Sequence, residues 1–387
     1  MRSSWRISRI MGIDISVDAS WFLIVFLLVY TLGFVQFPHD LHPRAFAARP
    51  DVTSIVLGVA ACLLLFASVL AHELSHSWMA IQRGIPVTRI TLFIFGGVAQ
   101  IAKEPDRPAT EFLIAIMGPL MSLALAALFG AGWIWLQILD SAHVLATSLT
   151  PAIILVSLLA QINAQLALFN LAPGYPLDGG RVFRAILWGA THDIRRATWW
   201  AARAGQVIAV LLIAGGGALF FFQFNGSGIW LALIGLFLWN AAGDGYRQTV
   251  MTETLRDATV GQLMTREIET VSPNLALSEF VDRFLIPKRE QTFAVSDGTA
   301  FQGAISVENV KRVPRAEWTT RRVRDVMTPL AALGSLSPEQ TAAAAMAKLS
   351  GVDAPDLPVF EGGQLAGFIG RAELSRFLRI KSELGRT

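Results

Sequence analysis

As far as about residue 245 the chain alternates long apolar runs with short polar breaks, and beyond that point it does not. The runs at 21–37, 53–82, 112–139, 151–169, 204–224 and 229–242 are long enough to cross a hydrocarbon layer of about 30 Å, or do so with help from their flanks. The pattern predicts about six transmembrane helices. One stretch departs from it. Arg83-Gly84-Ile85-Pro86 ends a helix, and Val87, Ile90, Leu92, Ile94 and Val98 then supply strand-forming side chains, with Gly96-Gly97 as the turn of a β-hairpin. Non-helical backbone at membrane depth is tolerated only beside protein or a water-filled cavity. The hairpin over 87–101 is therefore expected to line one.

The segment 181–203 is amphipathic, with Arg184, Arg195, Arg196 and Arg203 beside Trp188, Trp199 and Trp200, the pattern of a segment at headgroup level. About six spans put both ends of the chain on one side, and the basic residues around 2–9, 83–107 and 181–203 fall on that side. This predicts a multi-pass protein of the plasma membrane with cytoplasmic N- and C-termini. No small-residue cleavage site follows Arg2, Arg6, Arg9 and the first apolar run, which reads as a retained anchor.

Composition agrees with the pattern. The 387 residues are 53% hydrophobic and only 16% charged, a balance that excludes an ordinary soluble globular protein. The formal charge of +3 gives no reason to expect nucleic acid. The single cysteine, Cys62, excludes an internal disulfide and a cysteine metal cluster.

After Gly243-Asp244-Gly245 the composition becomes that of a soluble protein and an internal repeat appears. Val260-Gly261-Gln262-Leu263-Met264-Thr265 returns as Val323-Arg324-Asp325-Val326-Met327-Thr328, 63 residues on. Ser272-Pro273 and Ser337-Pro338 follow the two copies, then a helix-like run, then strands ending at Ser306 and Gly370. The expected division is a membrane domain over 1–245, a linker over 246–257, and two α/β domains over 258–315 and 316–387.

The candidate chemistry lies in the second apolar run, at His72-Glu73-Leu74-Ser75-His76. On a helix, His72 and His76 share a face and both imidazoles reach one metal ion, with Glu73 beside it. Zinc accepts neutral imidazole nitrogen and, in catalytic sites, leaves a position open for water. Buried imidazoles and a carboxylate are costly in lipid, so a functional compensation is expected over a merely structural one. A third ligand must come from elsewhere. The polar break over 170–181, Asn-Leu-Ala-Pro-Gly-Tyr-Pro-Leu-Asp-Gly-Gly-Arg, offers Asp178 on what its prolines and glycines predict to be irregular backbone, although a helix cap would also suit it. His39, His42 and His143 fall in polar breaks and read as solvated loop residues. Gln161, Asn163 and Gln165 should face other helices or a cavity.

At its two polar motifs, His72-Glu73-Leu74-Ser75-His76 and Pro176-Leu177-Asp178-Gly179-Gly180-Arg181, the sequence resembles the site-2 protease family of intramembrane metalloproteases over roughly its first 245 residues. The resemblance implies one Zn2+ per chain on His72, His76 and Asp178, Glu73 as catalytic base, and cleavage of a transmembrane segment of another membrane protein. A helical substrate must be unwound before its peptide bond is open to attack. The hairpin around Phe95, Gly96 and Gly97 could hold the unwound stretch by main-chain hydrogen bonds, and Asn170 could bind its backbone or an oxyanion. A membrane transporter gated by the tail, with the trio as an ion site, is the rival reading.

The tail is similar to a tandem pair of cystathionine-β-synthase (CBS) domains, which implies an adenine nucleotide such as ATP or AMP as ligand. The hydroxyl and acid of that family's ribose site fall on Ser306 and Asn309 in the first copy, and on Gly370 and Glu373 in the second, where the hydroxyl is absent. Homodimerisation through the pair, or capping of the cytoplasmic mouth of the membrane domain, are the alternatives.

Overall fold

A computed structural model describes residues 4–41, 49–94, 96–101, 103–142, 148–224, 226–288, 292–298, 300–352 and 354–383. Its contacts divide the chain into two units, Met1–Tyr246 and Arg247–Thr387.

The first unit opens with a hairpin of β1 (Ser4–Ile10) and β2 (Ile13–Asp18). Asp18 then caps α1 (Ala19–Tyr30), accepting hydrogen bonds from the Ser20 N–H at 3.0 Å and the Ser20 hydroxyl at 2.8 Å. A π-helical stretch, Thr31–Gln36, carries α1 into α2 (Phe37–Leu41), making one continuous span. His39 and Asp40, expected in a loop, are therefore helical, and Pro38 falls just after the π-helical stretch, within the continuous span. His42 and His143 lie outside the described residues.

α3 (Val52–Gln82) starts at a capping box formed by Asp51 and Ser54. It leads into β3 (Val87–Phe93) and β4 (Gly96–Ile101). The strands form one sheet in the order β1-β2-β3-β4, with β2 and β3 parallel, so β4 is an edge strand. The hairpin over 87–101 is present, but two expectations change. Gly96 and Gly97 are paired with Phe93 and Leu92 as rungs of the ladder rather than forming the turn. The segment before the first helix, read only as its basic flank, adds two strands whose Ile13, Ile15 and Val17 point into the core at period two.

Four further helices follow: α4 (Pro108–Ser141), α5 (Thr150–Asn170), α6 (Asp178–Thr191) and α7 (Ile194–Gln223). The amphipathic stretch 181–203 is thus two helices. His192 takes a left-handed conformation that ends α6, and the Asp193 carboxylate caps α7 by accepting from the Arg196 N–H at 3.0 Å. α8 (Ser227–Arg256) completes the set, so the expected linker at 246–257 is helical as far as Arg256. Six helices among the described residues are long and apolar enough to cross a membrane, which makes this unit a polytopic helical membrane domain. Of the three polar residues of α5, Asn163 is fully buried and bonds the Ser68 hydroxyl on α3, whereas Gln161 and Gln165 are exposed.

The second unit holds a sheet in the order β5 (Thr270–Val271), β6 (Thr292–Ser296), β7 (Phe301–Ser306), β8 (Thr328–Pro329), and a pair, β9 (Asp356–Glu361) with β10 (Gln364–Gly370). The two copies of the repeat exchange their starts. Thr328, from the second copy, pairs with Ala304 of β7, and its counterpart Thr265, from the first, bridges to Phe368 of β10. The cores follow the exchange: Val260 and Met264 pack with Leu357 and Ile369, while Val323 packs with Phe293 and Ile305. Each half is therefore finished by the other.

Candidate metal centre

His72 and His76 are 4% and 5% exposed in the last three turns of α3. Asp178 opens α6, contrary to the expectation of irregular backbone; the irregular part is the preceding loop, and a carboxylate in the first helical turn meets the positive end of the peptide dipoles. The α6 N-terminus can sit hard on that loop because Gly180 has no side chain, a Cβ there falling 2.2 Å from the Gly174 carbonyl carbon.

The Asp178 Oδ2 atom lies 3.1 Å from Nε2 of His72 and 3.1 Å from Nε2 of His76, and the two nitrogens are 3.2 Å apart. These three atoms belong to the one group of three or more His, Cys, Asp or Glu side chains among the described residues placed to hold a metal ion. Tetrahedral zinc with bonds of about 2.0–2.2 Å would set its ligand atoms roughly 3.3 Å apart, so the triangle has the size that zinc requires.

The other ring nitrogens are fixed by α4. His76 donates its Nδ1–H to the Ile114 carbonyl at 2.6 Å, and His72 Nδ1 is 2.8 Å from the hydroxyl of fully buried Ser122. With its Nδ1–H given to a carbonyl, His76 turns its Nε2 lone pair toward the carboxylate, and the Ser122 hydroxyl holds the His72 ring with its Nε2 facing the same oxygen. Lone pairs converging in this way call for a cation among them. Space for it comes from Gly118, where a Cβ would sit 2.1 Å from His76 Nε2 and 2.5 Å from His72 Nε2.

A cavity of about 570 Å³ opens on this centre, and Glu73, Gly96, Gly97 and Asn170 line it together with the three ligand candidates. Gly97 of β4 lies against Glu73, since a Cβ there would fall 2.5 Å from the Glu73 Cγ. Phe95 lies outside the described residues. The sequence reading missed Ser122, Ile114 and Gly118; a small residue and a hydroxyl four apart in an apolar helix were the available signal.

In the tail, Ser306 is 3% exposed and its hydroxyl donates to Asn309 Oδ1 at 2.8 Å, while the Asn309 amide donates to the Val326 carbonyl and the Thr328 hydroxyl. In the second copy the Glu373 carboxylate accepts from the Gly370 N–H at 3.0 Å, and Asp356 Oδ1 occupies the space where a Gly370 side chain would begin. A cavity of about 250 Å³ there is lined by Thr265, Thr292, Asp356 and Glu373 among others.

Two imidazoles and a carboxylate converging among membrane-crossing helices, open to a cavity that holds a further carboxylate, define the site of a membrane metallohydrolase. Comparison with known proteins places it further. Residues 60–215 match peptidase family M50. The chain is 32% identical to Rip3 of Mycobacterium tuberculosis over 384 residues, covering 98% of this chain and 94% of that one. It is 28% identical to the zinc metalloprotease MJ0392 of Methanocaldococcus jannaschii over 387 residues, 99% of each. Among solved structures, the site-2 protease of Methanocaldococcus jannaschii aligns with 62% of this chain and 94% of its own, at 28% identity and a TM-score of 0.42. The chain belongs to peptidase family M50, the site-2 proteases, and is a zinc metalloprotease of the membrane.

Proposed function

We propose that His72, His76 and Asp178 hold the zinc ion and that Glu73 is the catalytic base of an intramembrane endopeptidase. The near-equilateral triangle of Nε2, Nε2 and Oδ2, with sides of 3.1–3.2 Å, carries this reading. Zinc held by these three side chains would supply Lewis acidity and would make a water acidic enough to lose its proton near neutral pH. Glu73, beside it in the cavity, takes the water's proton and returns it to the leaving amine nitrogen. The Ile114 carbonyl, which can only accept, keeps the His76 proton on Nδ1, and the Ser122 hydroxyl holds the His72 ring in place.

The substrate is a transmembrane segment of another membrane protein, bound in unwound form. Support for this comes from β4, an edge strand whose Gly96, Gly97, Val98, Ala99 and Ile101 line the same cavity as Glu73. Unpaired main-chain groups on such an edge can bind an extended peptide whatever its sequence. Phe95 and Asn170 are assigned to the same substrate path. The termini are cytoplasmic, following the basic residues at 2–9, 83–107 and 181–203.

The tail is a CBS pair that regulates the peptidase by binding an adenine nucleotide, or dimerises the chain. The exchanged repeat supports a pair that works as one unit. ATP or AMP at millimolar concentration should raise the melting temperature of the purified chain; an unchanged value leaves dimerisation as the role.

The test of the peptidase reading is Glu73→Gln. It should retain stoichiometric zinc and end cleavage, so that uncut membrane-tethered partners accumulate in the membrane proteome of cells carrying it. Cleavage at the wild-type rate would sink the assignment of Glu73.

A further inference from the structure

Glu111 and Arg184 are 1% and 5% exposed, yet both are charged and both lie in the membrane unit. A carboxylate and a guanidinium buried together inside the protein need each other, since either one left alone is costly. Arg184 donates from Nε to Glu111 Oε1 at 2.7 Å and from a terminal nitrogen to the same oxygen, while Arg181 Nε approaches that oxygen to 4.0 Å. The Arg184 guanidinium also lies 5.4 Å from the Tyr175 ring, in the loop that leads to Asp178.

The places of the two charges in the fold give the pair its meaning. Arg184 is on α6, the helix that begins at Asp178, and Glu111 is in the first turn of α4. Glu111, Ile114, Gly118 and Ser122 are all buried on one face of α4, at the spacing that keeps residues in register along a helix. Ile114 and Ser122 fix His76 and His72. Beside the pair on α6, Ala185 is buried, and a Cβ on Gly189 would lie 3.7 Å from Pro108 at the start of α4. Packing between small residues permits sliding of one helix along another; a directional ion pair does not.

We propose that the Glu111–Arg184 pair is a positioning device that sets the Asp178 carboxylate against His72 and His76, with one face of α4 as the common reference for all three. This rests on the reading of those residues as zinc ligands. Neither Glu111 nor Arg184 touches metal or substrate; they act through the placement of α6.

The experiment measures zinc affinity of the full chain in detergent by competition with a chromogenic chelator, beside its melting temperature and the visible spectrum of the Co2+-substituted protein. Wild type and His72→Ala set the baseline. If His72→Ala binds zinc as well as wild type, the ligand assignment itself fails, which is distinct from failure of the positioning role. Glu111→Gln should weaken zinc by about tenfold or more, the size of loss seen when groups behind metal ligands are removed. Its Co2+ spectrum should move toward that of Asp178→Ala. Should the single variant not fold because Arg184 is left buried and unpaired, the double variant Glu111→Gln/Arg184→Met carries the same test with no unpaired charge. A folded variant with wild-type zinc affinity, or with a wild-type Co2+ spectrum, overturns the proposal.

Discussion

Gly118 on α4 faces His76 so closely that a methyl group built on it would lie 2.1 Å from the Nε2 nitrogen. A side chain there would crowd both imidazole nitrogens of the proposed zinc site. Replacing a glycine inside a helix by alanine ordinarily favours the helix by about 1 kcal/mol, so Gly118→Ala should remain folded. Its zinc content, measured by elemental analysis of the purified chain, should fall close to zero. Stoichiometric zinc in that variant would contradict the assigned site.

Ser122→Ala tests the partner of His72. The buried hydroxyl 2.8 Å from Nδ1 fixes the ring, and its loss should weaken zinc by about tenfold or more while changing folding stability by only about 1–3 kcal/mol. Chelator competition and thermal melting on the same sample separate the two effects.

Gly97→Ala addresses Glu73 rather than the metal. A Cβ at Gly97 would fall 2.5 Å from Glu73 Cγ and push the carboxylate out of place. Displacement of a reacting group by about 1 Å can lower turnover on the order of a hundredfold. Reporter cleavage should show that loss in kcat with zinc content unchanged; loss of zinc instead would place Gly97 in support of the metal.

The tail carries a pH-dependent element in Asp356. Burial raises its carboxyl above the ordinary value; Glu373 and Glu308 add to this, and the Thr292 hydroxyl opposes it. A raised folded-state pKa means that the folded tail prefers the protonated acid, and stability is lost as pH climbs from the unfolded value of about 3.9 through the folded one. Asp356→Asn should therefore melt higher than wild type at pH 7.5, with the gap closing as pH falls toward about 4. A gap of the same size at both pH values would assign the effect to shape rather than charge.

Much of this architecture could be read along the chain. Hydrophobicity marked the membrane spans, because in lipid a helix must satisfy its backbone within its own segment and so leaves a long local signature. The spacing of His72, Glu73 and His76 was legible for the same reason, since neighbours on one helix turn are neighbours in sequence. The tail's repeat was legible as repetition. The N-terminal strands were not: a short basic hairpin before an apolar run looks like a flank until β3, more than 60 residues later, pairs with β2.

The exchange of Thr265 and Thr328 between halves was hidden too, because strand pairing leaves no mark of its partner. So was the role of α4. Glu111, Ile114, Gly118 and Ser122 read as an apolar helix with two polar interruptions, and only its packing against α3 and α6 turns that face into the support of the site. The sequence by itself determined which side chains could bind a metal and that they lie in a membrane. The tertiary structure alone decided that His72, His76 and Asp178 meet, because the contacts bringing α6 to α3 are long-range and pass through a third helix.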